Sequence, residues 1–199
     1  MNEESVENVI AAIELPDPIS HISIDHIDGP ALKKLAAAMQ QPLPILKYLG
    51  LKSRHKSVPV LPERFMGGSA PPLETFELCG IPFPTFPKFI LSCTHIRALF
   101  ILDIPDSGYI SPNAMVACLV ALPNLDDLSI GFRSPPSRPS QITPPHTRIV
   151  LPALTYLFFE GTSEYFEDLV AQIDTPLLHR LDVTFFMDLI VDTPQLRHV

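Results

Sequence analysis

Several residues in this chain are of types that could do chemistry. His21 and His26 lie close enough in sequence to read as a metal pair. A zinc site needs three or four ligands at matched spacing, and no Cys or carboxylate cluster joins these two. Both read as solvated histidines, and no metal is expected. Asp126 and Asp127 are adjacent carboxylates, the kind of pair that could divide general acid and base work. On a strand, neighbours point to opposite faces, so the two would act on different sides of the chain. The paired glycines of "MGGSAP", residues 66–71, would need to open a helix to cradle a phosphate. They precede a strand and read as a turn. No nucleophile elbow, phosphate loop, dinucleotide fingerprint or zinc-protease motif is present. The expectation is a chain that is not an enzyme, with no catalytic residue and no cofactor.

"RSPPSRPSQITPP", residues 133–145, matches R-x-x-P-x-x-P through Arg133, Pro136 and Pro139. That pattern can be a polyproline ligand for an SH3-like domain. The plainer reading is a solvated loop. Ser134 before Pro135 is a possible phosphosite on the same segment.

The totals narrow the classes further. The chain has 199 residues, enough for one domain with a substantial core. Net charge is −8 and the basic residues are scattered, which argues against a nucleic-acid surface. No stretch is long and apolar enough for a membrane span, and the acidic start "MNEESVENVI" does not read as a signal peptide. Cys79, Cys93 and Cys118 are odd in number and lack a CxxC pair, so they read as small buried hydrophobes. Together these features predict an intracellular protein, cytoplasmic or nuclear. Proline is the outlier at 23 residues, about twice the usual share.

Those prolines punctuate a repeated phrase. "LPALTYLFFEG", "LPILKYLGL", "LPNLDDLSI" and "TPLLHRLDV" share apolar residues at an anchor two places after the proline and at the fourth and sixth places counted from that anchor. Seven copies occur: Ile19/Ile22/Ile24, Leu46/Leu49/Leu51, Leu73/Phe76/Leu78, Ile96/Leu99/Ile101, Leu125/Leu128/Ile130, Leu154/Leu157/Phe159 and Leu178/Leu181/Val183. An eighth begins at Leu196. The steps between anchors are 27, 27, 23, 29, 29, 24 and 18 residues, mostly in or next to the 20–29 range of leucine-rich repeats. The fourth and sixth places alternate with free positions, which is strand periodicity. One such strand is too short to stand alone. Stacked in parallel, the strands bury one continuous row of Leu, Ile and Phe, and each buried Leu contributes roughly 1.5–3 kcal/mol.

Parallel strands need a crossover. "GPALKKLAAAMQ" puts Leu32, Leu35, Ala36 and Met39 on one helical face, with Pro30 in the first turn. "SPNAMVACLVAL" opens with Ser111 as N-cap and Pro112 behind it. "TSEYFEDLVAQI" starts near Ser163 and stacks Phe166, Leu169, Val170 and Ile173. "PTFPKFILSC" and "LPERFMG" read as single turns or 3₁₀ pieces. The predicted fold is therefore α/β, a leucine-rich-repeat solenoid or horseshoe of about seven repeats. It has a parallel concave sheet and irregular helical or 3₁₀ convex segments, all in one domain over residues 1–199. Residues 1–18, with Val6, Val9, Ile10 and Ile13 on one face, read as the convex half of a truncated upstream repeat. Residues 133–148 read as a Pro-rich loop insertion, and residues 196–199 as a truncated last repeat.

The intervening positions must face away from the core, onto the concave sheet. Most are polar, but Phe100, Leu102, Tyr156 and Phe158 are not. Aromatic anchors ringed by charge are how an interface hot spot is built. The expected partner-binding residues are Tyr48, Lys52, Glu77, Phe100, Leu102, Asp127, Tyr156, Phe158, Glu160, Arg180 and Asp182. The bland alternative is that sheet twist and long loops cover them.

A proline ahead of each anchor resembles the irregular leucine-rich repeats of F-box proteins, in particular a large fungal group. "LPALTYLFFEGTSEYFEDLVAQIDTPLLHRLDVTFFMDLIVDTPQL" and "PPLETFELCGIPFPTFPKFILSCTHIRAL" carry the likeness. In that family an N-terminal F-box recruits a cullin-type ubiquitin ligase through an adaptor, and the repeats present the substrate. Residues 1–18 are too few for the three-helix F-box. The resemblance therefore implies a protein-binding scaffold that holds substrate, with the ligase adaptor a partner only if an F-box lies upstream. A free-standing interaction module, or a truncated remnant, is the alternative.

Overall fold

The computed structural model describes residues 3–14, 19–55, 58–68, 72–135 and 148–186. Each of the seven phrases forms a strand. The strands are β1 (His21–Ile24), β2 (Tyr48–Lys52), β3 (Thr75–Cys79), β4 (Ala98–Ile104), β5 (Asp127–Phe132), β6 (Ile149–Val150), β7 (Tyr156–Gly161), β8 (Ile173–Asp174) and β9 (Arg180–Phe185). Seven of them make one open, all-parallel sheet in the order β1-β2-β3-β4-β5-β7-β9. The short β6 and β8 pair separately, also in parallel.

The register is the one the phrase dictates. Ile22, Leu49, Phe76, Leu99, Leu128, Leu157 and Leu181 stand opposite one another across the sheet. Ile24, Leu51, Leu78, Ile101, Ile130, Phe159 and Val183 form the next row. All are buried except Leu181 and Val183, which are half-buried because β9 has a neighbour on one side only among the described residues. The main chain fixes where each strand starts. The carbonyls of Ser20, Lys47, Glu74, Arg97, Asp126 and Thr155 each accept two N–H groups from the following strand's entry, at 2.8–3.2 Å.

The connections pack on the inward face. The helices are α1 (Glu3–Glu14), α2 (Gly29–Ala38), α3 (Phe86–Ile90), α4 (Pro112–Leu119) and α5 (Ser163–Val170), with 3₁₀ turns at Phe65–Gly68 and Asp106–Gly108. Their starts follow capping chemistry. Asp28 Oδ1 accepts from Ala31 N at 2.8 Å, Ser111 Oγ from Ala114 N at 3.3 Å, and Thr162 Oγ1 from Tyr165 N at 3.3 Å. Pro30 and Pro112 occupy first-turn positions. Leu32, Leu35, Ala36 and Met39 are all buried, and α1 lays Val6 into the core while packing on α2. The "MGGSAP" glycines fall in the Phe65–Gly68 turn, where Met66 and Gly67 have φ of 56° and 76°; residues 69–71 lie outside the described residues.

Two aromatic clusters thicken the core. Phe65, Phe76, Phe83, Phe86 and Phe89 meet with ring centroids 5.4–6.3 Å apart. Phe132, Phe159, Tyr165, Phe166 and Phe185 form the second, at 4.7–6.4 Å. Tyr165 is 1% exposed and its hydroxyl has no hydrogen-bond partner among the described residues. An unmade bond costs roughly 1–3 kcal/mol, so Tyr165→Phe is expected to hold stability level or raise it by about 1 kcal/mol. The urea midpoint reads this directly.

Three expectations need correction or limits. Ile173 is not on the helical face with Phe166 and Leu169. The helix stops at Val170, and Ile173 enters β8, buried against the strand that pairs it to Ile149. Of the Pro-rich loop, only residues 133–135 and 148 are described. Pro136, Pro139 and residues 196–199 lie outside the described residues, as do 1–2 and 15–18. Among the described residues, no helix is long and apolar enough to cross a membrane.

Candidate functional site

The face of the sheet turned away from the helices carries three rows. The first reads His21, Tyr48, Thr75, Ala98, Asp127, Tyr156, Arg180. The middle row reads Ser23, Gly50, Glu77, Phe100, Ser129, Phe158, Asp182. The third holds Lys52, Cys79 and Leu102, then Gly131, Glu160 and Thr184 beyond an irregularity in β4. Every residue expected to bind a partner lies on this face.

Each end of the face is tied by a tyrosine, a carboxylate and a cation. On β2 and β3, Tyr48 Oη donates to Glu77 Oε2 at 2.9 Å, and Lys52 Nζ lies 2.7 Å from Glu77 Oε1 and 3.8 Å from Asp25. His21 stacks flat on Tyr48, with centroids 4.1 Å apart. The Tyr48 ring crosses Gly50 to reach its partner; a Cβ there would meet the ring at 3.0 Å. Burial and the Glu77 hydrogen bond raise the Tyr48 phenol, and the same carboxylate raises Lys52. On β7 and β9, Tyr156 Oη donates to Asp182 Oδ2 at 2.9 Å. Arg180 Nη2 and Nε reach that oxygen at 2.8 and 3.1 Å, with the guanidinium 4.8 Å above the Tyr156 ring. The bonds from Tyr156 and Arg180 hold the Asp182 carboxyl below its usual range.

A third pair closes the C-terminal edge of the sheet. Arg133 Nε and Nη2 grip the two Asp103 oxygens at 3.0 and 2.7 Å, and Nη2 also reaches Gly80 O at 3.4 Å. Asp103 sits in the β4 irregularity with φ of 50°. Arg133, read from the sequence as part of a solvated loop that could also be a polyproline ligand, has its head group bound to the sheet; Pro136 and Pro139 lie outside the described residues. Ser134 Oγ lies 3.4 Å from Asp106 Oδ1, an acidic neighbour that a phosphate would repel.

Between these clusters lies an apolar strip. Phe100, Leu102 and Phe158 are half-buried and belong to no part of the core. Ser129, between Phe100 and Phe158 in register, is only 5% exposed. Gly131 is buried too, its missing side chain replaced by Leu102 Cδ2, 3.2 Å from where a Cβ would sit. Gly50, Ser129 and Gly131 occupy intervening positions of the phrase. They point outward as the pattern requires, but larger neighbours one strand away, or two along, close over them.

Asp127 borders the strip. One of its carboxylate oxygens is buried without a hydrogen-bond partner among the described residues. Burial, then the Asp126 charge, raise its carboxyl, and Arg180 opposes them. A raised carboxyl favours the folded state at low pH. That advantage is lost as pH rises through the folded-state value. Asp127→Asn removes the penalty, so it is expected to raise Tm at pH 7 and leave it nearly unchanged at pH 3. Asp126 instead accepts from Thr155 Oγ1 at the strand entries, so the two carboxylates do not converge.

One feature of that entry rim escaped the sequence reading. The residues before the first outward row alternate in sign: Lys47, Glu74, Arg97, Asp126. Lys47 Nζ meets Glu74 Oε1 at 2.8 Å. A cleft of about 660 Å³ opens there, lined by Glu74, His95, Arg97, Asn124, Asp126, Ala153 and Leu177. The signal was available, since each charge occupies the same place in its phrase.

The described residues hold no group of three or more His, Cys, Asp or Glu side chains placed to bind a metal. Burial pushes the Cys93 and Cys118 thiols up to about 12, and Cys79 lies half-buried on the open face. Comparison of the chain with protein-family models, with curated proteins and with solved structures gives no match.

Proposed function

We propose that the chain is a leucine-rich-repeat solenoid whose sheet lines a concave face, and that it works as a non-catalytic protein-binding scaffold. The observation that carries this reading is the strip Phe100–Leu102–Phe158: half-exposed, outside the core, and bracketed by side chains already locked in place. Rigid apolar anchors with a polar border lose little side-chain entropy on association. The role this fits is the substrate-recognition part of an F-box-like ubiquitin-ligase receptor, in the cytoplasm or nucleus. Recruitment of the ligase adaptor then belongs to an F-box upstream of these repeats. The alternative, a free-standing interaction module or a remnant without ligase recruitment, draws on the position of α1. It packs on α2 and extends the repeat layer at the end where an F-box would join.

Phe158→Ala tests the scaffold reading. It is expected to leave the circular dichroism spectrum intact and weaken partner binding about tenfold or more, the usual scale for a truncated hot-spot aromatic. Loss of folding would put the binding face on the wrong side. Direct binding of the purified adaptor to the product of the complete reading frame tests the ligase role.

A further inference from the structure

The open face carries its own statement of charge. Glu77 pairs with Lys52, which Asp25 shares at 3.8 Å, and Asp182 pairs with Arg180; at the edge, Asp103 pairs with Arg133. Asp127 and Glu160 have no ion pair among the described residues. These two stand on either side of Phe158. Asp127 lies across from Tyr156, one row before Phe158, and Glu160 lies one row after it. The two carboxylates of the face that make no ion pair among the described residues thus flank its apolar strip, on either side of Phe158.

Resting on the reading of this face as the docking surface, we infer that the partner docks through an extended basic peptide segment. Two cations of that segment meet Asp127 and Glu160, and an apolar side chain between them sits on Phe158 and Leu102. The spacing follows from strand geometry. Four residues along a strand and one strand across separate the two carboxylate positions by about 14 Å. An extended peptide covers that in about four residues, so the pattern is cation, spacer, apolar residue, spacer, cation. Leu102, folded over Gly131, presents its side chain beside Phe158's strand. A polyanion is disfavoured by the same charges, and the chain's net charge of −8 steers a basic partner from a distance.

The test is selection of random 12-residue displayed peptides on the immobilised full chain, followed by fluorescence anisotropy with a labelled selected peptide. The expected result is enrichment of two Lys or Arg about four apart around an aromatic or aliphatic residue. D127N/E160Q and, separately, Gln in place of the peptide's two cations should each weaken binding at least tenfold. Glu74→Gln on the rim should leave it unchanged. The peptide variants make the result independent of how the protein variants fold. Selected peptides that are neutral or acidic, yet lost on Phe158→Ala, overturn the basic segment and leave the docking face standing. Selected peptides that bind Phe158→Ala as tightly as wild type overturn both. Failure to enrich any peptide overturns the segment.

Discussion

Phe159→Ala is expected to cost about 3–5 kcal/mol, whereas Phe158→Ala, one residue earlier, should cost about 1 kcal/mol or less. The two side chains leave the same strand in opposite directions. Phe159 is fully buried, between Ile130 and Val183 in register, with Phe166 at 5.1 Å and Tyr165 at 5.7 Å between ring centroids. Truncating it removes most of an aromatic payload and leaves a cavity that a parallel sheet cannot close, because both neighbouring strands are held in register by main-chain bonds. Phe158 meets the outward face and contributes to no core contact of that kind. Urea unfolding followed by circular dichroism measures both. Equal losses at the two positions would mean that β7 is rotated by one residue, and with it the whole assignment of the open face.

Gly80→Ala should be nearly as damaging, although it adds only one carbon. Gly80 has φ of 71°, a conformation that costs an L-residue about 1–2 kcal/mol. A Cβ there would also fall on the carbonyl oxygen of Ser53, far inside contact distance. Neither partner can yield cheaply. Ser53 N donates to Cys79 O at 2.8 Å, and its Oγ donates to Ile27 O at 2.7 Å. Gly80 N donates to Leu102 O at 2.9 Å, and its carbonyl receives Arg133. Backbone strain and overpacking together come to about 2–5 kcal/mol. For a chain of this size that is a fall in Tm of roughly 5–15 °C. A melting curve at the wild-type temperature would mean that the chain does not pass this close to Ser53.

The strands and helix starts were legible because their signals are local. Leu49 and Leu51 announce a strand by parity alone, and Asp28 or Ser111 ahead of a proline announces a helix. The irregularity in β4 was legible too, but was not read. In "LFILDIPD" strict alternation would drive Asp103 inward after Leu99 and Ile101. The chain inserts a step instead, turning Asp103 out to Arg133 and burying Ile104. What parity could not give was exposure. Ser129 points outward and is still buried, because Phe100 and Phe158 stand beside it in register. The ion pairs were hidden for a similar reason: Tyr48 finds Glu77, and Asp103 finds Arg133, only after the repeats are set in register. The two-residue strands β6 and β8 are too short to carry a period at all.

The doubled carbonyl contacts at the strand entries have a practical corollary. They align each new strand by its first backbone groups, so the length of the preceding traverse drops out of the alignment. Steps of 23 and 29 residues deliver side chains to the same latitude of the sheet. Insertions or deletions behind the sheet therefore leave the outward rows in alignment. One phrase could be transplanted for another to change the outward side chains without redesigning the interior.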